Sequence, residues 1–381
     1  MKRSAVREIL WLFLLTRLFM VLLTYIAYVL LTTPNHQDIA ADAVGLFTSW
    51  NHWDAANYVR IAQYGYQPLD VAFFPLFPLL IRCFSFLLGS WSYILVSMLI
   101  SNAALLGSLF VLYRLAADHY GDEVALRTLR YLCLFPTALF FFAGYNESLY
   151  LLCVVGGFLA LQQRRWWLAG FCGLIAALTR NIGILLVIPY LYELWQARTD
   201  VFRSIPRTLL ALWPLALIPL GTALYALYCW QILGNPLAFV TVQAHAGRHL
   251  SWPWMGIWHS LGSLLWDHPQ PFGSSNQVHM LLNLSATIGF ITLWILGWKH
   301  VPRSYSIWMG CALLYILLYP ALDKPDALLS NQRFVLELFP GFLTLALLSK
   351  QHVRLHQVYM LLAPLLLAVL SIAFLMNRWL V

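Results

Sequence analysis

Along the 381-residue chain, apolar runs of near-membrane length alternate with short polar breaks. That is the pattern of a protein with many membrane-spanning helices. The runs predict spans over residues 9–32, 92–113, 129–144, 148–162, 167–180, 182–196, 208–232, 278–298, 305–322, 334–349 and 357–377. One further run, AFFPLFPLLIRCFSFLLG at 72–89, behaves differently. Pro75 and Pro78 remove backbone donors and break a helix start. Irregular backbone at membrane depth must be buried in protein or line a cavity, so 72–89 reads as a re-entrant or interfacial element. The expectation is an all-α polytopic protein with about eleven transmembrane helices and amphipathic helices on its outer face. The polar breaks are too short to hold a separate soluble domain, so residues 1–381 read as one membrane domain. The first apolar run is too long for a signal peptide, is interrupted by Arg17 and lacks a small-residue cleavage site. It reads as a retained span.

Composition agrees with this pattern. Hydrophobic residues make up 61% of the chain and charged residues 10%, against about a quarter charged in soluble proteins. The net charge of +8 is explained by cytoplasmic Lys and Arg rather than by nucleic acid. With the N-terminus inside and 72–89 not crossing, the inner segments hold Lys2, Arg3, Arg7, Arg114, Arg127, Arg130, Arg164 and Arg165. They also hold Arg198, Arg203, Arg207, Lys299, Arg303, Lys350 and Arg354. If 72–89 crossed, most of these would move outside, against the orientation rule. The two long loops, 33–72 and 233–277, then lie outside. So do Asp38, Asp42, Asp54, Asp70, Glu147, Asp267, Asp323, Asp326 and Glu337, nine of the fifteen acidic residues. Chemistry is therefore expected on the outer face. The six cysteines are scattered singly, without metal or disulfide spacing. No internal repeat points to an inverted-repeat transporter.

The most informative polar stretch is SWNHWDAANYVRIAQYGYQP, 49–68. Ser49 is a candidate helix cap and Gly65 a candidate stop. Trp50, Trp53, Asn57, Ile61 and Tyr64 recur at helical steps and predict an interfacial face, with Asp54 beside the stripe and Asn57 and Tyr58 one turn on. Two readings stand. Asp54 is either the water-facing acid of a surface helix, or a partly desolvated general base that takes a proton from an acceptor hydroxyl.

The run WDAANYVRIAQYGY followed by VAFFPLFPLLIR resembles the first outer loop of the GPI mannosyltransferase II family, which belongs to the C-type membrane glycosyltransferases. LFPTALFFFAGYNESLYLL (134–152), LAGFCGLIAALTRNIGILL (168–186) and QRFVLELFPGF (332–342) are similar to later family segments, in order, through most of the chain. The chain is short for a eukaryotic GPI enzyme, which suggests a compact prokaryotic relative. A bacterial plasma membrane is then the expected location, with the endoplasmic reticulum as the alternative. Loop 233–277 matches no family segment and leaves the acceptor, a glycolipid or glycan, open.

The resemblance implies a glycosyltransferase C-type fold and a polyprenyl-phosphate sugar donor, usually mannose. It implies inverting transfer on the non-cytoplasmic side, with Asp54 as the base and no cofactor. Such a site needs positive charge on the departing phosphate. Arg180 and Arg333, at outer helix ends, are the candidate clamps, since guanidinium pairs well with phosphate oxygens. Each has a plainer reading: Arg180 as a snorkelling residue, and Arg333 as an ion-pair partner of Asp323, Asp326 or Glu337. Glu147, beside Tyr145 in the short turn GYNES, either orients the acceptor or holds an arginine. Trp53 and His52 complete the first-loop candidates, although His52 reads equally as an exposed loop residue. Gln243, with Arg248, Trp252 and Trp254, is a candidate for a sugar subsite. His245 and His249 are four apart, but no carboxylate or cysteine completes a metal set beside them. A lipid-sugar transporter or flippase, or a non-catalytic scaffold, is the alternative. The clustering of polar residues at one face argues against a transporter.

Overall fold

The computed structural model describes residues 2–31, 43–89, 92–266, 271 and 273–378. Asp38, Asp42, Asp267 and His268, expected on outer loops, lie outside the described residues. Every regular element among the described residues is helical. The chain divides into two compact units. The first joins Met1–Gln67, Pro75–Leu159 and Leu345–Leu380; the second joins Pro68–Phe74 and Ala160–Thr344.

In the first unit, the Arg3–Ile26 helix packs against Tyr93–Cys133 and Val353–Leu375. Its Trp11, Leu14, Leu15, Leu18, Leu22 and Tyr25 point outward and are half or more exposed. A continuous apolar stripe of this kind is stable only against lipid. Ile9, Leu105, Leu109, Leu112, Leu129 and Leu132 are fully buried between these helices. The Leu76–Leu87 helix covers the 72–89 segment and packs on Asp54–Tyr64 and Tyr93–Cys133. At 1.5 Å per residue it is about 18 Å long, short of a hydrocarbon core of about 30 Å.

The second unit is built on close helix contacts. Trp166–Thr179 lies against Leu217–Leu233. A Cβ at Gly221 would stand 2.7 Å from the Leu174 carbonyl oxygen. Only the missing side chain permits that approach, the usual device for packing helices in lipid. Ser275–Gly297 and Arg303–Leu318 follow, with the irregular segment 319–330 between the latter and Asn331–Phe334.

The structure bears on three of these expectations. First, by length and composition five helices among the described residues suffice to cross a membrane: Arg3–Val29, Tyr93–Cys133, Ile205–Leu233, Ser275–Gly297 and Val353–Leu375. A sixth arises if Asn331–Glu337 and Phe339–Gln351, bent by 81°, count as one. Eleven crossings are not established. Second, 129–144 is not one helix. Tyr93–Cys133 runs through a break at Gly121 (φ 82), and beyond it Pro136 prevents continuation, leaving a turn and a short 3₁₀ stretch, Ala138–Phe141. Third, Ser49 caps nothing downstream: its hydroxyl donates to the Leu46 carbonyl of the preceding helix. The next helix starts only at Asp54, and Gly65 (φ 87) ends it as expected. Its buried residues are Ala55, Tyr58, Val59, Ile61 and Ala62. Of the expected stripe, Trp50 and Ile61 are buried, Trp53 and Asn57 are half-buried, and Tyr64 is 81% exposed.

Candidate active site

In the first unit, the polar loop before Asp54 is fixed by one aromatic anchor. Trp50 is fully buried. Its indole Nε1 donates to Thr24 Oγ1 at 3.0 Å, and its ring stacks on Phe374 (5.3 Å) and meets Phe142 edge-on (5.2 Å). Tight turns follow, with Asn51 N donating to the Thr48 carbonyl and His52 N to the Trp50 carbonyl, each at 2.9 Å. Trp53 then adopts φ 54, ψ −124. A bulky side chain at positive φ is a genuine backbone outlier, costing on the order of 1–3 kcal/mol, and persists only where its surroundings enforce it. Asp54 comes next, as the first residue of an 11-residue helix. Its half-buried carboxylate sits where the helix dipole favours negative charge.

The candidates around Asp54 separate by environment. Burial lowers the His52 pKa below its ordinary value, against the opposing pull of the Leu375 carbonyl. The imidazole is therefore neutral at neutral pH. Asn57 accepts a hydrogen bond from Arg60 at 3.3 Å. Tyr58 points inward, its ring edge-on to Phe77 at 5.0 Å. Tyr145 and Glu147, from the GYNES turn, are almost fully buried. The Tyr145 hydroxyl donates to the His52 carbonyl at 3.4 Å, tying that turn to the Asp54 loop.

Arg17 braces the stretch that leads into the GYNES turn. Its guanidinium donates to Asn102 Oδ1 (2.8 Å) and to the Phe141 carbonyl (3.3 Å), while Asn102 Nδ2 donates to the Phe142 carbonyl (3.0 Å). An arginine in the first apolar run, with Asn102, thus satisfies carbonyls beyond Pro136 that lie outside regular helix. Arg17 thus faces neighbouring helices.

The second unit gathers arginines. The Trp166–Thr179 helix ends at extended Arg180 (φ −152, ψ 145). The next turn folds back so closely that a Cβ on Gly183 would lie 2.4 Å from the Ala176 backbone. Arg180 Nη1 pairs with Glu337 Oε1 at 2.5 Å, the carboxylate side chain being 3% exposed. The guanidinium carbons of Arg180, Arg248 and Arg333 lie 5.3, 5.3 and 5.4 Å from the centroid of one ring, Phe334. Three cations on one aromatic make a cation–π cluster suited to an anion.

Arg248 also fastens two loops. It donates to the carbonyls of Tyr319 (3.2 Å) and Leu329 (2.6 Å), while Ser251 N donates to the Leu318 carbonyl at 2.9 Å. Gln243 lies half-buried in the same turn, which Gly247 (φ 74) closes, and its carbonyl accepts from Arg248 N at 3.1 Å. Asp326 accepts from Asn283 Nδ2 (2.7 Å) and Leu328 N (3.0 Å). Burial raises its pKa, with those bonds and nearby Arg248 opposing. Asp323 meets His249 Nε2 at 2.7 Å. The acidic residues weighed as partners of Arg333 are thus engaged elsewhere in part: Glu337 with Arg180, Asp323 with His249, Asp326 with Asn283.

The structure brings Arg180 and Arg333 to one ring. It adds Arg248 and Phe334, which the sequence had not marked for phosphate. Residues far apart in the chain build the cluster, so no local spacing announces it. Asp54, Glu147 and their neighbours belong to the first unit, the arginines to the second.

The sequence profile of a family described as Mannosyltransferase (PIG-V) matches residues 3–196, just over half of the chain. The chain is 32% identical over 155 residues to GPI alpha-1,6-mannosyltransferase 2 of Mus musculus, covering 37% of this chain and 30% of that protein. It is 31% identical over 153 residues to the Homo sapiens protein of the same name, covering 38% and 31%. The match spans less than a third of either relative. Among solved structures, the fold resembles ArnT from Cupriavidus metallidurans, crystallised with undecaprenyl phosphate. The TM-score is 0.51 at 14% identity, over 87% of this chain and 68% of that one. At that identity the likeness is one of fold, the glycosyltransferase C-type.

Proposed function

The chain belongs to the mannosyltransferase (PIG-V) family, and from that premise we propose that it transfers a mannosyl group from a polyprenyl-phosphate donor to an acceptor hydroxyl. The observation that carries the reading is Asp54: a half-buried carboxylate at a helix start, directly behind the strained Trp53, inside the family-matched region. Backbone strain of this kind clusters where a side chain must be aimed.

In the proposed reaction Asp54 takes the proton of the acceptor hydroxyl. The freed oxygen bonds to the anomeric carbon as the carbon–oxygen bond to phosphate breaks. Polyprenyl phosphate leaves with the electron pair and the anomeric configuration inverts. The leaving group is already good, so no separate general acid is required. Arg180 and Arg333, with Arg248, are proposed to neutralise the phosphate; a donor of this type is worth roughly 2.7–4 kcal/mol in a transition state. Glu147 and Tyr145 are proposed to position the acceptor side of the Asp54 loop, with Trp53, Asn57 and His52 as further contacts, and Gln243 is proposed as a sugar contact in the second unit. Tyr58 supports the loop from within, through Phe77. The donor's lipid half is of the class bound in the ArnT crystal, and no other cofactor is invoked. The outer face is the proposed side, because the orientation rule puts most Lys and Arg at the other.

The test is a donor panel. Purified protein is incubated with polyprenyl-phosphate mannose, polyprenyl-phosphate glucose and GDP-mannose, and release of the carrier is followed. Turnover is expected with the first and not with GDP-mannose. Turnover with the nucleotide sugar alone overturns the proposal.

A further inference from the structure

Away from both regions above, the first unit contains a cavity of about 780 Å³. Its floor is apolar, formed by Phe110, Val111 and Leu159, and its rim is charged, formed by Lys2, Arg114, Asp118 and Asp122. The helix that carries most of these residues begins at Tyr93. From Tyr93 to Arg114 is roughly 30 Å along the axis at 1.5 Å per residue, about one hydrocarbon thickness. The charged rim therefore falls at headgroup level, with Phe110 and Val111 about a turn deeper. This gradient, from greasy floor to ionic rim, is that of a phospholipid.

The rim is built in two halves. One half is closed: Lys2 Nζ pairs with Asp122 Oδ2 at 3.0 Å, and the buried Tyr113 hydroxyl donates to Asp122 Oδ1 at 2.7 Å. The helix break at Gly121 (φ 82) sets Asp122 for these bonds. The other half is loose: Arg114 Nε and Asp118 Oδ2 stand 4.0 Å apart, both substantially exposed. Arg114 keeps donors to spare, and Asp118 keeps lone pairs that its arginine does not fill. Two cations and two anions at one mouth suit a ligand that itself carries both signs.

We propose that this cavity binds a zwitterionic phospholipid bearing a primary ammonium. Its phosphate would lie on Arg114 and Lys2, its ammonium would donate to Asp118, and its proximal chain would cover Phe110, Val111 and Leu159. A quaternary headgroup cannot donate to Asp118, and an anionic headgroup lacks the ammonium and meets two carboxylates. The ligand is thus an aminophospholipid rather than a choline or glycerol lipid. The site is independent of the proposed transfer.

Delipidated, purified full-length protein is titrated with dioleoyl phosphatidylethanolamine, phosphatidylcholine and phosphatidylglycerol, and bound lipid is counted by native mass spectrometry. Phosphatidylethanolamine is expected to bind at one site, about fivefold or more above the other two, the weight of one charge pair at a membrane surface. Arg114→Gln with Asp118→Asn should erase the preference, while Arg82→Gln, at an exposed position off the cavity, should keep it. Lys2→Gln, outside any helix, serves if the double variant does not fold and should weaken all three phospholipids at this site. Equal binding of phosphatidylcholine, an undiminished preference in the folded double variant, or undiminished binding of the three phospholipids in Lys2→Gln overturns the proposal.

Discussion

The Asp54 loop and the Phe334 cluster present opposite solutions to holding charge near lipid. The first is written almost entirely in consecutive residues: Trp50 anchors, Trp53 carries the strain, and Asp54 follows at a helix start. The second has no local script. Arg180, Arg248 and Arg333 come from three separate segments and meet at one ring, with the buried Glu337 carboxylate paired to Arg180. A single carboxylate can be aimed by a turn. Several like-charged guanidiniums must be gathered by a fold that supplies a counter-charge and carbonyl acceptors.

If that contrast is right, the two regions fail differently when altered. The largest effect is expected from Asp54→Asn, which keeps the shape but removes the base. Transfer should fall by roughly 10²–10⁴-fold with membrane insertion and melting unchanged, as read by a carrier-release assay beside thermal unfolding. Arg180→Ala should cost about 10²-fold in transfer and also destabilise the fold. It removes one ion-pair partner of the buried Glu337, a loss of up to about 3–5 kcal/mol. The double variant Arg180→Ala with Glu337→Ala should regain much of the stability and none of the activity. Recovery of both would make the pair merely structural.

A smaller effect separates strain from packing at Trp53. Trp53→Gly and Trp53→Ala lose the same ring, but only glycine accepts φ 54 without cost. The glycine variant should therefore be the more stable by about 1 kcal/mol in chemical denaturation. Equal stabilities would mean that the backbone is not held against its preference. The smallest effect is expected from pH at His52. Burial lowers its pKa, so folding disfavours the imidazolium. The stability it contributes is complete above the ordinary value and is lost as pH falls through it. His52→Gln should flatten a slight decline in melting temperature between neutral and mildly acidic pH.

The sequence exposed the parts of the molecule that depend on neighbours in the chain. The apolar runs located most helices, Gly65 ended its helix at positive φ, and the Trp–Asp block stood out by composition. It misjudged parts that depend on packing. The stripe through Trp50, Trp53, Asn57, Ile61 and Tyr64 pointed to one interfacial face, but Trp50 and Ile61 are buried, and Ala55, Tyr58, Val59 and Ala62 bury the side away from it. Periodicity cannot say which of two amphipathic faces meets protein when the outside is lipid. The run at 129–144 was apolar enough for a span, yet Pro136 breaks it, and Arg17 and Asn102 satisfy the carbonyls set free. Arg248 was legible only as a polar residue in an unplaced loop. Its meeting with Arg180 and Arg333 is a tertiary event that no spacing encodes.

The claim at the centre is a single displacement driven by one carboxylate, and the stereochemistry of the product tests it most directly. Polyprenyl-phosphate mannose of known anomeric configuration is turned over by the purified protein, and the new glycosidic bond is assigned by its one-bond carbon–proton coupling. Inversion is the result this account predicts. Retention would require a covalent intermediate or a second displacement, and would contradict Asp54 as a base acting in one step.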